Sequence, residues 1–359
     1  MYYDEEKTKK RRKSGSGKLL AVVILSVVLV VGALAVILNF HLFKYYIENG
    51  KWPDQEQRDY YNQNGDWPKP DATAAPDSGT VIQDLPTAIP EPVNPVNPEQ
   101  MTVASRFNPP QGYERMSVEP GSFGEFLRNY PLRSYGTPAK LADGTENPNA
   151  PTEGVFDQDI RKNGLQQCAD AIIRLYAEYR YQRSEYEYIT FDCYTTPVFK
   201  LDFETWTTGQ RVQANGRALE WYKSDKATPG DVSLNTFLYY LDNVFLYANT
   251  YSLKNQMMEI DPSDLRVGDC LIITADQTGG TDGHAIIVVD VAVNTSTGDK
   301  VFMLAEGNTP STETYILKDI ENDTVWFRLN EDGTSFTKLS VDGSRKVTYP
   351  QDAFRRFKR

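Results

Sequence analysis

The sequence predicts an α+β domain, and the order of its elements along the chain is the main reason. Helical patterns occur at 165–181 and at 237–248, the second with Ser233 as its predicted cap. Apolar strand-like runs follow at 268–274, 284–293 and 300–306. Helices followed by a run of neighbouring strands are typical of α+β folds, in which the helices pack on one face of an antiparallel sheet. We therefore expect a helix-on-sheet domain in the second part of the chain.

Residues 19–41 are predicted to be a transmembrane helix. The preceding segment, 1–18, holds seven Lys and Arg residues, whereas Leu19 to Leu38 carry no charge. About 20 apolar residues span a bilayer, and a cleavable signal peptide has a shorter core of ~7–15, so an uncleaved anchor is favoured. The positive-inside rule keeps 1–18 in the cytoplasm. We expect a single-pass cell-membrane protein that contacts the bilayer through 19–41 and has an extracytoplasmic C-terminal domain.

The segment from 42 to 114 has the composition of a linker. It contains a duplicated Tyr-Tyr…Asn-Gly…Trp-Pro element, at 45–53 and 60–68, and then a stretch rich in Pro, Ala, Thr and Asn. Two copies are too few for a solenoid, and such a composition favours a semi-extended spacer. The globular domain is predicted to occupy 115–349, and the basic stretch 350–359 is predicted to be a frayed, solvated tail.

Charge and residue counts exclude several classes of function. The chain has a net charge of −11 and only two histidines, one of them in the predicted anchor. An acidic surface disfavours nucleic-acid binding, and one exported histidine excludes a histidine-rich zinc site. Neither a Walker nor a dinucleotide-binding glycine motif is present. We expect no metal, no cofactor and no nucleic-acid partner.

The three cysteines cannot all pair, because their number is odd. Cys193 lies in an alternating strand-like run and Cys270 in an apolar one, so both are predicted to be small buried hydrophobes. A Cys193–Cys270 disulfide is the less favoured alternative. Cys168 remains as the candidate reactive thiol.

Cys168 lies near the start of a helix, where unpaired backbone N–H groups stabilise a thiolate. Asn163 is a candidate N-cap for this helix, and Gln167 could donate a hydrogen bond to an oxyanion. The same thiol shares an apolar stripe with Ile172 and Leu175. A buried structural cysteine is therefore the alternative interpretation, although a nucleophile that faces a sheet would also lie on that stripe.

His284 is the candidate general base. It follows a glycine-rich loop at 278–283 and opens an apolar strand at 284–293. Glu306 and Asn308 lie at the end of the next strand, where either could hold the second imidazole nitrogen; Glu306 is the preferred residue. A thiol, an imidazole and a polar orienting group are the parts of a cysteine hydrolase site.

These motifs carry two resemblances. Gln167-Cys168, Gly268-Asp269, Gly283-His284 and Glu306-x-Asn308 resemble the CHAP amidase/peptidase superfamily. That resemblance implies a papain-like fold with Cys168, His284 and Glu306 as catalytic residues and Gln167 and Asn308 as oxyanion or orienting residues. The stretch from 115 to 330 also resembles an uncharacterised bacterial family, domain of unknown function forty-eight forty-six, which usually has Gln-Ser-Tyr where this chain has Glu306-Gly307-Asn308. The second resemblance brings no activity with it.

Together the residues and the resemblance imply a membrane-anchored extracytoplasmic cysteine amidohydrolase or peptidase. Its expected substrates are peptide amides or peptidoglycan stem-peptide amides, and a cell-surface peptide or peptidoglycan is its expected partner. A non-catalytic binding or scaffold domain on a papain-like fold is the alternative from another class. An acyltransferase would use the same residues and differ only in its acceptor.

Overall fold

The computed structural model describes residues 95–278, 282–340 and 343–358. The predicted transmembrane helix, 19–41, and the duplicated element of the linker lie outside the described residues. Among the helices that are described, none is long and apolar enough to cross a membrane.

Helices and strands alternate irregularly along the described chain. The helices are α1 (Val103–Arg106), α2 (Phe123–Arg128), α3 (Cys168–Gln182), α4 (Phe203–Thr207), α5 (Leu234–Tyr247) and α6 (Thr250–Gln256). The strands are β1 (Tyr113–Arg115), β2 (Thr152–Val155), β3 (Thr190–Cys193), β4 (Phe199–Asp202), β5 (Gln210–Asn215), β6 (Ala218–Lys223), β7 (Met258–Glu259), β8 (Cys270–Ile273), β9 (His284–Asn294), β10 (Lys300–Glu306), β11 (Tyr315–Leu317), β12 (Phe336–Leu339), β13 (Lys346–Tyr349) and β14 (Phe354–Arg356).

An eight-stranded sheet organises the domain. Its strand order is β2-β11-β10-β9-β8-β14-β7, with β1 also paired to β9, and the strand pairs are antiparallel. Three separate hairpins, β3–β4, β5–β6 and β12–β13, accompany it. A mixed fold built on an antiparallel sheet confirms the predicted α+β class.

Each face of the sheet has its own apolar core, because side chains alternate along β9. Ile287 and Val289 belong to the first core, which includes Ile172 of α3. Ile286 and Val288 belong to the second core, with residues of the β12–β13 hairpin. The sheet therefore lies between the helix that carries Cys168 and a hairpin that the sequence did not predict.

The predicted helices and strands are largely confirmed, with one change at the start of α3. Its N-cap is Gln167, so Cys168 is the first helical residue. Asn163, the expected cap, instead accepts a hydrogen bond from the Leu165 N–H and donates to Asp242. The predicted Ser233 cap of α5 is present, since its hydroxyl accepts from the Thr236 N–H.

The C-terminal stretch is part of the sheet rather than a frayed tail. Phe354 is fully buried, and the Phe357 ring stacks on Tyr176 with centroids 3.9 Å apart. Arg356 donates to both carboxylate oxygens of Asp269, at 2.6 and 2.8 Å. The basic charge that suggested a solvated tail is thus used in an ion pair with a buried aspartate.

The folded part also begins earlier than residue 115. Within the predicted linker, α1 contributes Val103 and Arg106 to the interior, and Phe107 is fully buried. The Arg106 guanidinium donates to the carbonyl oxygens of Gln100 and Arg133, at 2.7 Å each. These contacts show that the folded domain begins at about residue 95.

A buried ion cluster ties the N-terminal elements to the central strand. Asp290 of β9 is fully buried and accepts from Arg115 of β1 at 2.5 Å and from Arg128 of α2 at 2.7 Å. A buried carboxylate is tolerated only when such partners compensate for its desolvation.

Asp290→Asn is expected to lower the free energy of unfolding by about 3 kcal/mol, because it leaves two arginines without their charge partner. The free energy is measured by urea denaturation. Asp299→Asn is the matched control: its carboxylate bonds only within the exposed β9–β10 turn, and a change within about 0.5 kcal/mol is expected. Equal effects for the two variants would contradict the structural role of the cluster.

Candidate active site

Cys168 is placed by the start of α3, where the helix meets the end of β10. Gly307 permits this approach, since a Cβ atom there would lie 3.1 Å from the Ala171 Cβ and 3.3 Å from the Gln167 carbonyl oxygen. Asp170 closes the helix start by accepting from the Gln167 N–H at 2.9 Å, and its burial raises the pKa of its carboxyl to about 8. Cys168 as a whole residue is 6% exposed.

His284 is the first residue of β9 and pairs with Ile273 of β8. The preceding residue, Gly283, has no room for a side chain: a Cβ atom would lie 2.7 Å from the Ile273 carbonyl oxygen and 2.4 Å from the Thr250 hydroxyl. The close packing of Gly283 fixes the backbone from which the imidazole projects. The His284 side chain retains 17% exposure.

His284 and Glu306 are in direct contact. The imidazole Nε2 lies 2.8 Å from Oε2 of Glu306, whose side chain is fully buried at the end of β10. Nε2 is occupied by the carboxylate, so Nδ1 is the nitrogen that remains for the thiol of Cys168. Cys168 raises the pKa of the same imidazole, as Glu306 does, which places the thiol close to the ring. The structure thus brings together the three residues that the sequence analysis selected.

Glu306 has three further partners. Lys338 of β12 places its Nζ 3.0 Å from Oε2, the oxygen that also contacts His284. The Tyr315 hydroxyl donates to Oε1 at 2.6 Å, and the Asn308 amide donates to the same oxygen at 3.2 Å. Both oxygens of the carboxylate are therefore held by donors, as a buried anion requires.

The charges of this cluster determine its protonation. Burial alone would raise the pKa of Glu306, but Lys338 and His284 outweigh it and hold that pKa well below its usual range. Burial alone would lower the pKa of His284, but Glu306 and Cys168 raise it to about 9. The favoured state at neutral pH is an imidazolium beside an ionised glutamate.

A cavity of about 410 Å³ opens beside His284. The β12–β13 hairpin and the residue that follows β12 supply one side of it, through Lys338, Ser340, Arg345, Val347 and Tyr349. Cys168 is not among its lining residues, so the cavity reaches the trio at the imidazole. Trp206 lies in the first core and Trp221 packs against it, and neither lines this cavity.

Gln167 and Asn308 have definite positions in the site. The side-chain oxygen of Gln167 accepts from the Thr309 hydroxyl at 3.0 Å, next to the thiol. Asn308 donates to Glu306 and, at 2.8 Å, to the Tyr315 hydroxyl. Asn308 thus supports the carboxylate of Glu306 and the hydroxyl that binds it.

Lys338 and Tyr315 were not anticipated from the sequence. Tyr315 lies opposite Glu306 in the β10–β11 pairing, so their side chains share a face of the sheet. Lys338 lies two residues after Phe336 and alternates inward with it. A lysine at an inward position of an alternating strand is the signal that could have indicated a buried anionic partner.

A family model described as "Domain of unknown function (4846)" matches residues 103–341. The chain belongs to this family. No curated protein and no solved structure matches the chain. The family match spans the thiol, the imidazole, Glu306 and Lys338, and it carries no activity with it.

The elevated pKa of His284 predicts a loss of stability at alkaline pH. The unfolded imidazole has a pKa near 6.5 and the folded one about 9. The charged imidazole therefore stabilises the folded state in full below pH 6.5. This stabilisation disappears as the pH rises to about 9. Relative to His284→Gln, wild-type protein is expected to lose about 3 kcal/mol of unfolding free energy across this interval. A pH-independent difference, measured by urea denaturation, would contradict the predicted ionisation.

Lys338→Met is expected to raise the pKa of His284 further, because the imidazolium then no longer shares the Glu306 charge with a second cation. It should also lower the free energy of unfolding by about 3 kcal/mol. The pKa is measured by NMR with ¹³C-labelled histidine, and only two histidine signals have to be assigned.

Lys346→Met provides the matched control for this measurement. Lys346 lies on the same hairpin and pairs with Glu321, but its side chain is 61% exposed. We expect the His284 signal and the stability to stay close to wild type. An unchanged pKa in Lys338→Met would show that the lysine does not influence the imidazole.

Proposed function

We propose that this protein is a cysteine amidohydrolase or peptidase in which Cys168, His284 and Glu306 form a catalytic triad. The observation that carries this proposal is the position of the His284 ring. Its Nε2 is held by a buried carboxylate at 2.8 Å, and the Cys168 thiol acts on the same ring. A nucleophile, a base and a group that orients the base are the parts that acyl transfer requires.

In the proposed reaction the Cys168 thiolate attacks the amide carbonyl carbon and forms a C–S bond. The imidazolium of His284 gives its proton to the departing amine as the C–N bond breaks. Water then attacks the thioester while His284 accepts its proton, and the C–S bond breaks to release a carboxylic acid and the thiolate. Glu306 stays ionised throughout and stabilises the imidazolium.

Two groups support an oxyanion site beside the thiol. Cys168 is the first residue of α3, and the N–H groups of a first helical turn have no partner within the helix. Gln167 uses its side-chain oxygen to accept from Thr309, which leaves its amide N–H groups as donors. Donors of this kind stabilise a tetrahedral intermediate.

We also propose where the protein is located and which class of substrate it cleaves. A helix that carries the thiol packed on an antiparallel sheet that carries the imidazole supports a papain-like arrangement. The apolar segment 19–41, with its basic flank, supports a membrane-anchored protein with an extracytoplasmic domain. A peptide or peptidoglycan stem-peptide amide is the substrate that fits this location, by analogy of fold and place.

The second candidate is a non-catalytic binding or scaffold domain displayed at the cell surface. The observation in its favour is the 6% exposure of Cys168, which is low for a thiol that must meet a substrate. Reactivity separates the two candidates, since a core thiol is inert and a catalytic one is not.

The test is the rate at which iodoacetamide labels each cysteine of the native chain between pH 5 and 9, followed by mass spectrometry. We expect Cys168 to react rapidly at neutral pH and His284→Ala to slow it roughly 10–100-fold. The reason is that an unassisted thiol is only a few per cent ionised at pH 7, whereas an imidazolium stabilises the thiolate.

Cys193 and Cys270 serve as internal controls in the same sample. Burial raises the pKa of the Cys193 thiol to about 12 and that of Cys270 well above its ordinary value. Both should stay unlabelled until the protein unfolds. If Cys168 behaves as they do, the scaffold function becomes the better account.

A further inference from the structure

The cavity beside His284 contains three charged side chains besides the imidazole. They are Lys338 and Arg345 on the hairpin side and Asp282 on the segment that leads into β9. Lys338 pairs with Glu306 at 3.0 Å and shares that carboxylate with His284. Within the described part of the chain, the side chains of Arg345 and Asp282 form neither a hydrogen bond nor an ion pair. Both side chains are thus available to a ligand, and they come from different segments of the chain.

Arg345 differs from the next residue, Lys346, which has an ion-pair partner. Lys346, the first residue of β13, pairs with Glu321 at 3.1 Å and does not line the cavity. The chain as a whole has a net charge of −11, so carboxylates are abundant on this protein. Arg345 lines the cavity without an acidic partner among the described residues, so a ligand can supply one.

The rest of the lining is partly polar and partly apolar. Asn149, Asn308 and Thr309 contribute polar groups, and Ile273 and Val347 contribute apolar surface. The volume of about 410 Å³ lies within the range of small-ligand sites. A cavity of this size accommodates a few peptide residues.

We propose that Arg345 selects a peptide substrate that carries a carboxylate within one or two residues of the scissile amide. The planar guanidinium binds a carboxylate through two parallel hydrogen bonds, which orients the ligand as well as attracting it. Asp282, which also lines the cavity, repels the same carboxylate. The orientation of the ligand relative to His284 is then set by charge. This inference rests on the proposed function, because it assigns the specificity of that site.

The test compares two reagents that differ only in charge. Iodoacetate carries a carboxylate and iodoacetamide does not, and both alkylate a thiolate. The ratio of their second-order rate constants at Cys168 is measured at pH 7 on the full chain. We expect Arg345→Met to lower the iodoacetate/iodoacetamide ratio roughly 5–10-fold and Asp282→Asn to raise it about 2-fold.

Lys346→Met is the matched control, since it removes one positive charge from the adjacent residue outside the cavity. Its ratio should equal that of wild type, and 1 M salt should compress the differences among the other variants. If Arg345→Met labels with the wild-type ratio, or if Lys346→Met lowers the ratio as much, Arg345 does not select the carboxylate.

A second measurement separates this inference from the proposed function. If neither reagent labels native Cys168, the hydrolase proposal fails, and carboxylate binding is followed instead by the NMR signal of His284 during titration with N-acetylglutamate. A saturable shift in wild type that is lost in Arg345→Met would support the carboxylate site by itself. No shift in wild type would overturn it.

Discussion

The site depends on one buried charge, the carboxylate of Glu306. Removing a carboxylate from water costs several kcal/mol unless donors and opposite charges replace the solvent. Here the replacement comes from four elements: His284 at the start of β9, Lys338 on β12, Tyr315 on β11 and Asn308 just beyond β10. Each partner constrains the position of the others, because two of them share Oε2 and two share Oε1. The imidazole is therefore oriented by a network that spans the sheet and the hairpin packed against it.

The two faces of the sheet contribute different parts of the site. The thiol comes from α3, which packs on the first core, whereas Tyr315 and the β12–β13 hairpin belong to the second. The two faces meet at the end of the sheet, where β9 begins and β10 ends. Glycine favours this junction, since a side chain at Gly283 would clash with its neighbours and one at Gly307 would fit only tightly. The catalytic proposal thus depends on backbone packing as much as on the reactive groups.

The charge arrangement explains how a half-buried histidine can remain protonated. Burial disfavours the imidazolium, and the contact with an ionised Glu306 reverses that preference. Lys338 acts in the other direction on the same oxygen, since it lowers the pKa of Glu306 and competes for its charge. A glutamate between two cations remains an acceptor over a wide range of pH. The contact between the two groups thus keeps the imidazole in its charged form at neutral pH.

Sequence alone determined the local features. The apolar stripe of α3, the apolar strands β8 to β10 and the capping serine of α5 follow from periodicity and side-chain chemistry, which neighbouring residues decide. The choice of Cys168, His284 and Glu306 followed from their places at the ends of those elements. Tertiary structure decided what comes from distant parts of the chain. Lys338 reaches Glu306 only because the β12–β13 hairpin packs on the second core, and Arg356 joins the sheet only because Asp269 is there to receive it. Partners of a buried charge are chosen by packing in space, and no pattern of nearby residues encodes that choice.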